Sequence, residues 1–148
     1  MIVDSSALVA ILRQEPDAEA LENAMLDAQR LRISAVTFVE AAVVIDGARD
    51  AVATRRFNEF IEKMQIEIEP VTADLARIAR EAYRDFGKGT GHPAKLNLGD
   101  CFSYALARST GDTLLFKGGD FVHTGIKSAL KTTTLQEPPS PTYGELWD

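Results

Sequence analysis

Four carboxylic acids in this sequence stand among apolar neighbours or at chain turns. Asp4 follows Ile2-Val3, and Glu40 lies between Val39 and Ala41. Asp100 leads into Cys101, Phe102, Tyr104, Ala105 and Leu106, and Asp120 follows Gly118-Gly119. A carboxylate in apolar surroundings is costly unless it is paired or bound to metal. Two of them about 5 Å apart repel by roughly 3 kcal/mol at an effective dielectric of about 20. Four that converge therefore need protons, cationic neighbours or a divalent ion. Hard oxygen donors suit Mg²⁺ or Mn²⁺. An ion held in this way polarises a phosphate and lowers the pKa of a bound water, which is the chemistry of phosphodiester hydrolysis. Each acid also has a plainer reading: Asp4 as a helix cap, Glu40 as a solvated helix residue, Asp100 as an acid favoured by a helix dipole, and Asp120 as a turn residue.

The elements that must position these acids follow from the pattern of apolar residues. Short strands are expected at 2–3, 31–34, 66–69 and 113–116, with a last one at 132–135. Helices are expected at 5–13, from a cap at Asp17 to about 29, at 35–48, at 50–64, from a cap at Thr72 to 86, and at 98–109. In the helix over 35–48, Val36, Val39, Val43 and Phe38 are placed toward the core, with Thr37 and Glu40 on an adjoining stripe. The segment 87–97 reads as a loop carrying Lys88, His92 and Lys95. Strands alternating with helices indicate an α/β domain with a mainly parallel central sheet. Ligands of such sheets sit beyond the carboxyl ends of the strands, where Asp4 and Asp120 fall.

Bulk properties narrow the class. A chain of 148 residues fits one domain with a core of its own. No apolar run is long enough to span a membrane. The single cysteine, Cys101, excludes an internal disulfide, and with a start that lacks a signal-type segment this fits a reducing cytoplasm. The net charge of −6 argues against a generic nucleic-acid binder, though a local basic rim remains compatible with it. Lys117, three residues before Asp120, is suited either to contact a phosphate or to balance the acids. Arg13, Arg49, Arg55 and Arg56 could line an RNA groove, whereas Arg77, Arg80 and Arg84 read as a solvated helix face.

Four stretches resemble the acidic motifs of PIN-domain toxins, most closely the bacterial VapC type. They are Ile2-Val3-Asp4-Ser5-Ser6-Ala7-Leu8, Ser34-Ala35-Val36-Thr37-Phe38-Val39-Glu40-Ala41, Leu98-Gly99-Asp100-Cys101-Phe102-Ser103-Tyr104-Ala105-Leu106-Ala107 and Leu114-Leu115-Phe116-Lys117-Gly118-Gly119-Asp120-Phe121. They occur in the family's order and spacing. The resemblance implies a three-layer α/β/α PIN domain over residues 1–135, with a proline-containing tail at 136–148. It also implies an endoribonuclease dependent on Mg²⁺ or Mn²⁺, the toxin of a type II toxin–antitoxin pair. On this reading Asp4, Glu40 and Asp100 are the core metal-site acids, Asp120 is the fourth, and Ser6 supports Asp4. Thr37 and Lys117 are candidates for supporting or substrate-contacting roles. The implied partners are RNA, a second copy of the chain, and a VapB-type antitoxin covering the acidic groove, with DNA reached only through that antitoxin. Gly125 stands where many members carry a further Asp. A PIN fold that only binds RNA or a partner is the alternative. A phosphoacceptor receiver domain fits poorly, because Asp4 is followed by Ser5-Ser6 rather than preceding or following a second acid.

Overall fold

The computed structural model describes residues 1–130. The expected strand at 132–135 and the tail at 136–148 lie outside the described residues. The chain runs β1 (Ile2–Val3), α1 (Ser5–Leu12), α2 (Ala18–Asp27), β2 (Arg32–Ser34), α3 (Ala35–Asp46), α4 (Ala51–Lys63), β3 (Glu67–Glu69), α5 (Ala73–Phe86), α6 (Leu98–Thr110) and β4 (Leu114–Leu115), followed by a 3-10 turn, Asp120–His123. The four strands form one parallel sheet in the order β3-β2-β1-β4. Parallel strands need crossover connections, and helices supply them here.

Alternation along the two-residue strands divides the core. Val3, Ile33 and Leu115 pack with α1, α2, α3 and α4 residues such as Leu8, Leu21, Ala41 and Phe57. Ile2 and Leu114 pack with Ala79 and Ala82 of α5 and Cys101, Tyr104 and Ala105 of α6. Register accounts for the division, because Ile2 pairs with Leu114 and Val3 with Leu115, and successive side chains point to opposite faces. The result is the expected three-layer α/β/α arrangement. Small residues let α6 lie close to its neighbours, and Gly99, Asp100, Cys101, Ser103 and Tyr104 through Ala107 are buried. Helix α6 ends at Gly111, whose φ of 70° suits a glycine.

Helix α3 departs from expectation. Its buried residues are Thr37, Ala41 and Ile45, whereas Val39 and Val43 are 56% and 64% exposed. The segment is apolar almost all round, so periodicity alone does not select which face meets the sheet. Small Ala41 and Thr37 face inward because the sheet and α6 leave little room there. Phe38 packs on the core edge as expected.

Candidate active site

Asp4 is the N-cap of α1, and its own backbone N–H is bonded to Leu115 O at the end of the sheet (2.9 Å). It is almost wholly buried, and both carboxylate oxygens are engaged. Oδ2 accepts from Ser6 N (3.0 Å) and Ser6 Oγ (2.6 Å), and Oδ1 accepts from Ser103 Oγ (2.6 Å). Ser103 Oγ in turn lies 3.0 Å from Thr37 Oγ1, and both hydroxyls are fully buried. Hydroxyls donating to both oxygens of a carboxylate fix its orientation. Ser6 Oγ also accepts from the Lys117 backbone N–H (3.0 Å), which ties the chain after β4 to the first acid.

Glu40 projects from α3, half-buried, and its Oε1 accepts from Ser5 Oγ (2.8 Å). Its carboxylate rests against the Cα of Gly99, so close that any side chain at position 99 would collide with it. Asp100 comes next in the chain, at the third position of α6. There it closes a capping box with Asn97: Asn97 N donates to Asp100 Oδ2 (2.9 Å), and Asp100 N donates to Asn97 Oδ1 (2.8 Å).

Burial pushes the Asp100 carboxyl up to about 7, against the lowering effect of Asn97, and the charges of Asp4, Asp120 and Glu40 push it further in the same direction. The other three acids singled out from the sequence therefore all act on Asp100. Asp120 does so from an exposed position at the start of the 3-10 turn. Among the described residues, no three His, Cys, Asp or Glu side chains are grouped tightly enough to hold a metal ion as they stand. The acids share a field without converging on one point. Their chemistry still fits a hard divalent cation, since the donors are all carboxylate oxygens and a cation would displace the proton that burial helps Asp100 to hold.

A PIN-domain family model matches residues 1–127. The chain belongs to the PIN-domain family, among its VapC-type ribonuclease toxins. It is similar to Ribonuclease VapC28 of Mycobacterium tuberculosis and to VapC ribonuclease Mb0625 of Mycobacterium bovis. Each is 52% identical over 130 residues, which cover 88% of this chain and 98% of theirs. Ribonuclease VapC42 of M. tuberculosis is 46% identical over 129 residues, covering 87% of this chain and 98% of its own. Among solved structures, VapC20 of M. tuberculosis, a sarcin-ricin loop cleaving toxin, superposes with a TM-score of 0.68 at 19% identity, covering 84% of this chain and 95% of that one. A toxin–antitoxin complex from Klebsiella pneumoniae gives 0.64 at 20% identity, covering 88% and 98%. These two likenesses confirm the fold.

Two supporting residues of this PIN domain stand apart from the sequence reading. Ser103, which holds Asp4, was not singled out there, although a hydroxyl three residues after Asp100 in an apolar helix is a visible signal. Lys117 is bridged to Glu15 Oε2 (3.2 Å) and Asp17 Oδ1 (3.3 Å). It thereby pins the start of α2 to the turn that carries Asp120. At Gly125 the backbone has φ 79° with open space where a side chain would be, a conformation that glycine adopts without strain. Among the described residues, no helix is long and apolar enough to cross a membrane.

Proposed function

We propose that this protein is the toxin of a type II toxin–antitoxin pair and cleaves RNA phosphodiester bonds with Mg²⁺ or Mn²⁺ held by Asp4, Glu40, Asp100 and Asp120. The observation that carries this reading is Asp100, a buried carboxylate in the combined field of the three other acids. When bound, the ion would activate water and polarise the scissile phosphate. The chain's own contribution is positional. Ser6 and Ser103 hold Asp4 by both oxygens, Ser5 holds Glu40, and Asn97 holds one oxygen of Asp100, leaving Oδ1 without a hydrogen-bond partner among the described residues. Thr37 fixes Ser103, and Lys117 fixes the loop leading to Asp120.

The partners follow from family membership and from surface chemistry. An antitoxin of the VapB type would neutralise the enzyme by covering the acids, and any contact with DNA would come through it. Exposed Val39, Val43 and Val44 on α3 support a homodimer. A cytoplasmic location is consistent with a free, buried Cys101.

The experiment is incubation of antitoxin-free protein with total RNA, with and without Mg²⁺ or Mn²⁺, beside an Asp100→Asn variant purified identically. Discrete cuts that require metal and vanish in the variant are the expected result. Cutting that survives chelation, or that the variant retains, contradicts it. RNA binding without any cutting would favour the binding-only alternative.

A further inference from the structure

The loop joining α5 to α6 is built more firmly than a connector requires. Its two ends are laced together: Lys88 N donates to Leu96 O (2.8 Å), and Leu96 N donates to Phe86 O (2.9 Å). Within it, Thr90 Oγ1 donates to Gly87 O (2.7 Å), and Ala94 N donates to His92 Nδ1 (3.1 Å). That bond leaves the His92 ring proton on Nε2. The His92 ring meets Phe86 edge-on with centroids 4.9 Å apart, and Ala94 and Leu96 are fully buried. The loop then enters α6 through Asn97, whose backbone N–H is held by Asp100 itself. Whatever binds this loop is therefore in register with Asp100, a buried acid of the site.

Its charge is opposite to that of the chain. A protein of net charge −6 has no acid between Phe86 and Asp100, and it places two exposed lysines there, Lys88 and Lys95. Neither forms an ion pair among the described residues, whereas Arg30, Arg32, Arg55, Arg77, Arg84 and Lys117 all do. Lys117, the cation nearest Asp120 in sequence, is thus already committed to Glu15 and Asp17. Arg13 and Arg56 sit together around a hollow lined by Leu12, Val44 and Ala53. Arg13 is separated from Asp4 by the length of α1, about 13 Å at the helical rise. Lys95 has a left-handed backbone (φ 48°), unusual for a residue with a side chain, in the turn just before Leu96. Gly89 and Gly91, at φ 91° and 86°, face open space, and their backbone N–H groups donate to nothing among the described residues. Lysine charges beside open glycine amides match the oxygen-rich, negatively charged backbone of a nucleic acid.

We propose that the loop from Gly87 to Asn97 is the phosphate-backbone grip of the active site, with Lys88 and Lys95 neutralising phosphates of the RNA strand beside the one to be cut. The proposal rests on the ribonuclease reading and adds the element that holds the substrate. Phosphate contacts of this kind set register without reading sequence.

The test uses full-length protein carrying Asp100→Asn to suppress cutting, and a fluorescein-labelled 20-nucleotide mixed-sequence RNA. Affinity is followed by anisotropy over a salt series, with and without Lys88→Ala plus Lys95→Ala. Each phosphate contact on a single strand contributes about 0.7 to the slope of log affinity against log salt. The double variant should therefore lose about 1.4 of that slope and bind on the order of tenfold more weakly. Lys63→Ala plus Arg80→Ala, exposed cations at the end of α4 and on the solvated face of α5, removes the same charge and should leave the slope unchanged. An unaltered slope in the lysine variant, or an equal fall in both variants, overturns the proposal. Separately, the same lysine pair is changed in the uninhibited protein and assayed on total RNA. If the parent cuts RNA while the lysine variant cuts and binds it equally well, the grip is wrong and the ribonuclease reading stands. If the parent neither cuts nor binds RNA, both fall.

Discussion

Asp100 concentrates the electrostatics of the site. Its carboxyl is raised to about 7, first by burial and then by its acidic neighbours, whereas an aspartate in the unfolded chain titrates near 4. The folded state thus holds this proton more tightly than the unfolded state does. Its contribution to metal-free stability is present at low pH and is lost as pH rises from about 4 through about 7. Thermal melts of metal-free protein at pH 5 and pH 8 should show this difference, and Asp100→Asn should shrink it. Mn²⁺ affinity measured by calorimetry should run the other way, rising with pH as the proton leaves.

A second residue-scale expectation concerns Ser103. Replacing it with alanine removes one of the bonds holding Asp4 and strands the Thr37 hydroxyl in the core. This should cost about 1–3 kcal/mol of stability and lower kcat about 10–100-fold, with little change in KM. Denaturant melts and RNA-cleavage kinetics would check both. Wild-type kcat in that variant would remove Ser103 from the site.

At the scale of elements, the close approach of α3 and α6 at Gly99 sets stability and activity against each other. Alanine favours a helix over glycine by about 1 kcal/mol, but at position 99 its methyl would occupy the place of the Glu40 carboxylate. That carboxylate is the far end of a flexible side chain and can swing away. Gly99→Ala should therefore melt at or slightly above the parent temperature while losing most RNA cleavage. A loss of both together would mean that α6 itself has shifted.

Much of this was legible in the sequence. Asp4 after an apolar pair, and Asp100 three residues after Asn97 at the head of an apolar helix, announce their elements and their burial. The facing of α3 was not legible. Val36, Val39 and Val43 have helical spacing, but so do Thr37, Ala41 and Ile45, and only the space between sheet and α6 decides between them. Nor could spacing show Lys117 turning to Glu15 and Asp17, which depends on where the start of α2 lies relative to the end of β4.

At the scale of the whole molecule, the exposed valines on α3 bear on assembly. Val39 and Val43 lie one helical turn apart, with Val44 beside them. An isolated apolar side chain needs no explanation, but a contiguous row favours a partner surface. If this row carries the proposed homodimer, Val39→Glu with Val43→Glu should shift the protein from dimer to monomer in sedimentation velocity while leaving its circular dichroism unchanged. A parent that sediments as a monomer would contradict the homodimer.

The strand pair β1–β4 feeds both cores, since Ile2 and Leu114 pack on one side of the sheet and Val3 and Leu115 on the other. Backbone amides there, including that of Asp4, should be among the slowest to exchange with deuterium, opening only when the whole domain does. Asp120 belongs to the opposite extreme, exposed after two glycines. Warming should therefore detach the fourth acid before it disturbs the first, so the protein would stop cutting RNA several degrees below the temperature at which it unfolds, and would regain activity on cooling.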